Sequence, residues 1–537
     1  MIFRSKVTLL AVLSIIYLFF FVIPRLSSDI DDPDLVEPSW RWQYTRPATL
    51  PSYRAAPPPP TDAIVESSIY TLSNQPDNDD NNNVVDDEQQ QQQQPTPTPP
   101  IEQEQQQDDA HSYDPNEKFI TFFTHSGFQN QLIQVENGIL LAWYLNRTLI
   151  LPRALLGEAF GWSYFGKLHL EHMLHDPVKE NDSTMPATDI CEFLADDLAF
   201  WDVPCPDRSR HSVVPFDEIF DLSWAKEHVR IVLRERSDFD WLDEKYHIRR
   251  AGVPDQGNGS YVDGDILFFK GATRYDWRIF DTPRKSHRLG KYAESLDIFE
   301  LRKRQEKLIH FSSLFGTGKL PIRRPEHYEF LRTLQRSITY RHPAVLAVAE
   351  QIVETLGGQG NFIGLHVRSG DGWFVKALPE NIYSIVSQIG KALESRSTSQ
   401  QQQQKVITPT SSPPNLQQCL TMAKSGDATM IYLATDARLP RDNPAFAPIW
   451  QRYPCTFTLD EVISLEAWDA LDRVLDPNTG NSMRKFLLPL VDASVASRGW
   501  FFIGSKGSTF SGYIYRLHDV FWSNAKKQQL IDPSSSS

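Results

Sequence analysis

The chain has 537 residues, a net charge of −14 at pH 7 and four cysteines. That length exceeds one ordinary domain and points to two or more. Residues 29–118 hold 19 acidic against 4 basic side chains, and the remainder from Phe119 is close to neutral; this excludes a broad nucleic-acid-binding surface and leaves room for one local cationic site.

Residues 1–6 carry Arg4 and Lys6 and read as a short cytoplasmic tail. Residues 7–23 are apolar and uncharged, long enough at ~1.5 Å per residue to cross a thin bilayer. The run exceeds the apolar core of an ordinary signal peptide and no small-residue cleavage site follows it, so a retained signal-anchor is expected rather than a cleaved leader. The basic residues before it predict a single-pass, N-in, type II topology with the bulk of the protein lumenal. Residues 24–117 are rich in Pro, Gln, Asn and Asp. Such a composition cannot bury enough apolar surface to offset the entropy of ordering, so a disordered stalk is expected. Anchor and stalk suggest a Golgi membrane address, with the endoplasmic reticulum as second choice.

Folding signals start at Phe119. Phe119–Thr124 reads as a strand, Gln131–Leu145 has helical periodicity, and Thr148–Leu151 is a second strand. A β-α-β opening marks a parallel sheet. Further strands are expected at Asp265–Phe269, Phe362–Val367, Thr429–Ala434 and Trp500–Gly504, with helices at Pro343–Leu356, Pro379–Leu393 and Ser482–Ser497. This alternation predicts an α/β fold of two lobes, residues 118–335 and 336–532. The polar tract 395–418 inside the second lobe is expected to be a surface loop.

Lumenal chemistry is consistent with other features. Asn146, Asn181 and Asn258 each begin an N-glycosylation sequon, though Asn146 falls in a tight helix-to-strand turn where enclosure would keep it from use. Cys191, Cys205, Cys419 and Cys455 allow three pairings; Cys191–Cys205 and Cys419–Cys455 close the shortest loops and are the expected disulfides. Four buried thiols are the alternative in a reducing compartment.

Two segments carry chemistry. The strand ending in His366-Val-Arg368-Ser-Gly-Asp371 places an arginine, with a histidine two residues back on the same face, at the end of the sheet where α/β proteins bind ligands. That is a clamp for an anionic group, or else an arginine paired to a local acid such as Asp371. Near the C-terminus, Gly504-Ser-Lys-Gly-Ser508-Thr509-Phe510-Ser511 joins a strand to a helix. Its backbone N–H groups and hydroxyls suit a phosphate, and an ordinary helix cap is the alternative. Thr435-Asp436, at another strand end, is a weaker cleft candidate. Asp238-Phe-Asp240 and Asp263-Gly-Asp265 have the acid spacing of a divalent-cation site, but the second has the look of a turn. Trp162, Trp201, Trp241 and Trp277 are candidates for stacking on an acceptor or for core packing.

Taken in order, Gly127-Phe128-Gln-Asn130-Gln131, His366-Val-Arg368-Ser-Gly-Asp371, and Asp492 followed by Ser508-Thr509-Phe510 resemble the three sequence blocks of the protein O-fucosyltransferase superfamily. The resemblance implies a GT-B fold: two Rossmann-like lobes with GDP-fucose in the cleft. It implies no cofactor beyond the donor substrate, no metal, and inversion at the anomeric carbon as fucose passes to a hydroxyl, most readily Ser or Thr of a protein. A glycan acceptor and a catalytically silent glycan-binding protein are the alternatives. It implies that Arg368 stabilises charge on the departing β-phosphate and that His366, Asp371, Ser508, Thr509 and Phe510 contact the donor. Asp492 would accept from guanine, while Gly127, Phe128 and Asn130 approach from the other lobe, Asn130 helping to position the reactants. One branch of the family has a glutamate base immediately before the first-block glycine; here that position is Ser126, and no base is named.

Overall fold

In the computed structural model of the protein, the described residues are 114–158, 160–176, 190–283, 288–370, 372–400 and 413–531. The expected tail, anchor and most of the stalk lie outside them, as do Asn181 and Asp371. Among the described residues no helix is long and apolar enough to cross a membrane.

The first lobe opens with β1 (Phe119–Phe122), α1 (Phe128–Leu145), β2 (Thr148–Leu151) and β3 (Ala154–Gly157), then α2 (Phe165–Leu174). There follow β4 (His211–Val214), β5 (Ile231–Leu233), β6 (Gly259–Asp263), β7 (Ile266–Lys270), β8 (Trp277–Phe280), β9 (Glu294–Asp297) and β10 (Leu308–Phe311). Six of these strands form one sheet in the order β5-β2-β1-β10-β7-β6, parallel throughout except that β6 runs antiparallel to β7. β1 is buried on both faces: Ile120 and Phe122 enter the layer under α1, and Phe119 and Phe123 enter a second one with Phe165, Trp241 and Phe268. That two-sided burial explains its continuous apolar run.

After α3 (Pro325–Ser337) and α4 (Pro343–Thr355) comes a second sheet: β11 (Phe362–Val367), β12 (Met430–Thr435), β13 (Thr456–Thr458) and β14 (Phe501–Gly504). Its order is β13-β12-β11-β14, all parallel. Helices α5 (Gly372–Gln400), α6 (Arg484–Ser497) and α7 (Thr509–Ile531) complete the chain. Ile363, Leu365 and Val367 pack with Ile382, Ile385 and Ile389 of α5 on one face of this sheet. The strand period of two puts Gly364 and His366 on the opposite face. There α6 packs so closely that a Cβ on Gly364 would drive into the Ala496 carbonyl oxygen. Gly364→Ala is therefore expected to lower the stability of this lobe by ~3 kcal/mol, the upper end of overpacking costs; an unchanged melting temperature would refute the close approach.

The described ends of the tract 395–418 are helical where a loop is expected; residues 401–412 lie outside the described part. Ser395–Gln400 prolongs α5, and Leu416–Lys424 is a helix opened by a reciprocal Asn415–Gln418 capping box. Gln and Ser extend an existing helix readily because no new nucleus is required. Asn146 also differs from expectation: it sits in the left-handed conformation that ends α1, and there its side chain is exposed, as Asn258 is. Both expected disulfides are present, Cys191–Cys205 and Cys419–Cys455.

Candidate active site

The strand orders define where a ligand fits. In the second sheet β11 is flanked by β12, which leads away to β13, and by β14, reached by the chain only after β13. The connections from β11 and to β14 therefore diverge, leaving a crevice beyond their carboxyl ends, the usual ligand position in an open α/β sheet. Three adjacent strands β12, β11 and β14 end in Thr435-Asp436, Val367-Arg368 and Gly504-Ser505. The first sheet has the same kind of divergence between β1 and β10.

At the β11–β14 crevice the His366 and Arg368 block and the Ser508 block come together. His366 is buried, its Nδ1 lies 2.6 Å from Ser511 Oγ, and its ring meets Phe510 edge-on at 5.0 Å. Burial pulls its imidazole down to about 4, with Arg368 adding to the fall and Asp436 opposing it. The Arg368 N–H donates to Ser505 Oγ at 3.0 Å, and Ser505 N–H donates to the His366 carbonyl at 3.0 Å. Ser505 thus stitches the two strand ends.

Among the described residues, Arg368 forms an ion pair with Asp436, 2.8 Å from the guanidinium; Asp371 lies outside them. Asp436 does more than pair. It also accepts from Ser369 N–H (2.6 Å), Ser369 Oγ (3.0 Å) and Gly370 N–H (2.9 Å), and so fixes the turn that carries the arginine. The Arg368 side chain remains 36% exposed, which leaves the guanidinium able to exchange Asp436 for an anionic ligand of better geometry.

Ser508 caps α7: its Oγ accepts the Ser511 N–H at 3.2 Å. The cap and the anion-binding reading coexist, because capping uses the Ser508 oxygen as an acceptor and leaves its hydroxyl proton free to donate, beside the first N–H groups of α7. Asp492 sits on α6, where Tyr432 Oη of β12 donates to its Oδ1 at 2.5 Å. Burial raises its carboxyl to about 7, with the Tyr432 hydrogen bond opposing and Asp460 adding to the rise.

In the first lobe Gly127 is the residue before α1, with φ −56°. A Cβ there would meet nothing within 4 Å, so open space and not backbone strain surrounds it. Asn130 is half-buried in the first turn, and among the described residues its side-chain amide has no hydrogen-bond partner. The Phe128 ring stacks on Phe220 at 5.3 Å and lies parallel to Phe216 at 6.4 Å. Gln131, also in this block, is a structural clamp, donating to the Ser126 and Leu155 carbonyls and accepting from Leu155 N–H.

The two acid pairs serve the fold. Asp238 caps the helix Phe239–Tyr246 and pairs with Arg236, and Asp263 accepts from Arg250, Ala251 and Val253 around the β6–β7 turn. Among the described residues no three His, Cys, Asp or Glu are placed to hold a metal ion. Trp241 and Trp277 are core residues.

The sequence profile of the GDP-fucose protein O-fucosyltransferases matches residues 198–521. The chain belongs to this family. The match takes in the Arg368 and Ser508 blocks and begins after the Gly127 block, and it assigns the chain to GDP-fucose-dependent fucosyl transfer. No curated protein matches the chain significantly. Among solved structures, POFUT1 in complex with GDP-fucose aligns over 76% of this chain and 96% of its own, at 14% identity and a TM-score of 0.33. NodZ α-1,6-fucosyltransferase soaked with GDP-fucose aligns over 75% and 92%, at 14% identity and 0.33. NodZ from Bradyrhizobium aligns over 74% and 93%, at 14% identity and 0.31.

In this O-fucosyltransferase, the bonds of Ser505 to Arg368 and of Ser511 to His366, and the central role of Asp436, escaped sequence reasoning. The signal for the first two lay in the same Gly/Ser turn as Ser508; that for Asp436 lay in its position immediately after an apolar strand.

Proposed function

We propose that this O-fucosyltransferase is an inverting, metal-independent enzyme of GT-B architecture that transfers L-fucose from GDP-fucose to Ser or Thr of a protein acceptor. The single observation that carries the reading is Arg368 at the β11–β14 divergence, held by Asp436 and Ser505 and partly open to solvent. The donor's diphosphate lies across the Arg368 turn and the start of α7. As the anomeric C–O bond breaks, charge gathers on the β-phosphate oxygen, and a preorganised guanidinium lowers that barrier by roughly 2–4 kcal/mol. Asp492 takes guanine's N1–H and amino donors, a role that needs its carboxylate form. Gly127 and Asn130 approach from the first lobe, with inversion following from attack on the face opposite the leaving GDP.

The catalytic region is proposed to be lumenal on a type II anchor in the Golgi. Two disulfides, which persist in oxidising compartments, support that side of the membrane. A screen of folded proteins, peptides and glycans with labelled GDP-fucose, with and without EDTA, tests the reading. Label is expected on protein hydroxyls in the presence of chelator. Label confined to glycans would reassign the acceptor, and loss of transfer that Mn²⁺ restores would overturn metal independence.

A further inference from the structure

The donor crevice provides for the leaving group and leaves open what takes the acceptor's proton. The divergence of β1 and β10 in the first lobe holds a chain of hydrogen bonds whose direction is fixed by its own donors and acceptors. Gln134 Nε2 donates to the carbonyls of His125 (2.9 Å) and Asn130 (3.2 Å), which turns its Oε1 toward Ser313 Oγ at 3.1 Å. Ser313 Oγ also accepts the Phe315 N–H at 3.1 Å. A hydroxyl has one proton, and Ser313 gives it to Gln134, whose Oε1 can only accept. Toward His125 Nε2, 2.8 Å away, Ser313 is therefore the acceptor, and Nε2 carries the imidazole proton. Nδ1 is left with a lone pair, and it faces Ser126 Oγ at 2.8 Å. The Ser126 proton points inward along this bond, and its oxygen lone pairs point away from it.

Ser126 is placed as a group at a working site would be. Its φ of +68° is a left-handed conformation uncommon for serine. It is held there by its N–H on the Phe160 carbonyl and by Gln131 on its own carbonyl. Ser126 is half-exposed, next to the open space at Gly127, while His125 behind it is buried. The groups facing His125 are Arg274 after β7, His172 of α2 and Lys319 after β10; together with burial, the largest cause, they bring its imidazole down to about 3. It is thus neutral at the start of the reaction.

Resting on the fucosyl-transfer reading, we propose that Ser126 Oγ and His125 Nδ1 form the proton relay that deprotonates the acceptor. The acceptor oxygen's lone pair forms the bond to the anomeric carbon, and the C–O bond to the β-phosphate breaks, its electron pair leaving with GDP. The acceptor's proton passes to Ser126 Oγ as the Ser126 proton passes to His125 Nδ1, leaving a neutral serine and an imidazolium bound to Ser313. A weak base suffices because the attacking oxygen, once bonded to the sugar carbon, is an oxonium and a strong acid.

Ser126→Gly in the full chain removes the hydroxyl and suits the positive φ. Ser126→Asp tolerates the same backbone and supplies a carboxylate directly. With GDP release from GDP-fucose read against pH, water serving as acceptor, the glycine variant is expected to lose about 10²–10³-fold in kcat, in the range of a general base. Its GDP affinity is expected to stay within about twofold of wild type, formate is expected to restore part of the lost rate, and the aspartate variant is expected to work with a new acid limb near its own pKa, ~4–6. An active wild type whose glycine variant turns over equally fast would overturn the relay alone. So would a slow glycine variant that neither formate nor aspartate improves, which would mark Ser126 as structural. A wild type silent with GDP-fucose would overturn the fucosyl-transfer reading and the relay with it.

Discussion

Arg368→Ala is expected to lower turnover of GDP-fucose by about 10²–10³-fold, the effect of removing one preorganised donor from developing charge. The fold should survive the change. Asp436 keeps its three bonds from Ser369 and Gly370 when the guanidinium goes, so the turn stays in place. Arg368→Lys should fall between the two, because a lysine keeps the charge but loses the planar fork that matches two phosphate oxygens. Asp436→Asn tests the other side of the pair. It leaves the arginine's charge intact and weakens charge-assisted bonds worth ~1.5–3 kcal/mol each, so a loss of roughly tenfold is expected, through positioning. Steady-state GDP release alongside GDP affinity reads all three. If Arg368→Ala turned over within a few-fold of wild type, the arginine would be an ordinary strand-end ion pair and the donor site would lie elsewhere.

The largest stability effect is expected at Cys419–Cys455. Both residues are buried, and the bridge joins the helix Leu416–Lys424 to the residue just before β13 across 36 positions. Chain entropy alone puts its contribution at about 3–4 kcal/mol. Removing it also frees a helix that the chain enters from residues 401–412, outside the described part. Cys191–Cys205 closes a span of 14 residues and lies nearer the surface, so its loss should cost less. Melting of the two paired Cys→Ala variants checks the order; a lower melting temperature for the Cys191/Cys205 variant would refute it.

The strands legible in the sequence are those whose neighbours on both faces are apolar. β1, β7, β11 and β12 announce themselves as short Val/Ile/Leu/Phe runs stopped by Gly or a polar turn. β10, the strand between β1 and β7, does not: its four residues include His310, a polar residue hidden among Phe123, Phe165 and Phe268 rings. Sheet order was out of reach for a different reason. Pairing β11 with β14 joins residues well over a hundred positions apart, and no local pattern records that choice. The same non-locality hid Asp436 as a partner of Arg368 and Ser505 as the stitch between strand ends. What survived was chemistry confined to single segments: an arginine after a strand, a Ser/Thr pair at a helix start, and cysteines whose shortest loops were the ones closed.

Helices α1 and α7 begin at the two crevices and are bolted to each other further along. Arg516 of α7 pairs with the buried Glu136 of α1 at 2.6 Å, and Gln335 of α3 holds the second carboxylate oxygen at 3.0 Å. At ~1.5 Å of rise per residue, the bolt lies only about 10–12 Å from either helix start. A pivot that close to both mouths gives the lobes a short lever arm, so wide gaping would have to tear a buried ion pair, at a cost of ~3–5 kcal/mol. The machine is closer to a pair of pliers with a tight rivet than to a clam shell. Exchange of GDP for fresh donor would then have to proceed with the jaws nearly set, through the crevice mouths themselves.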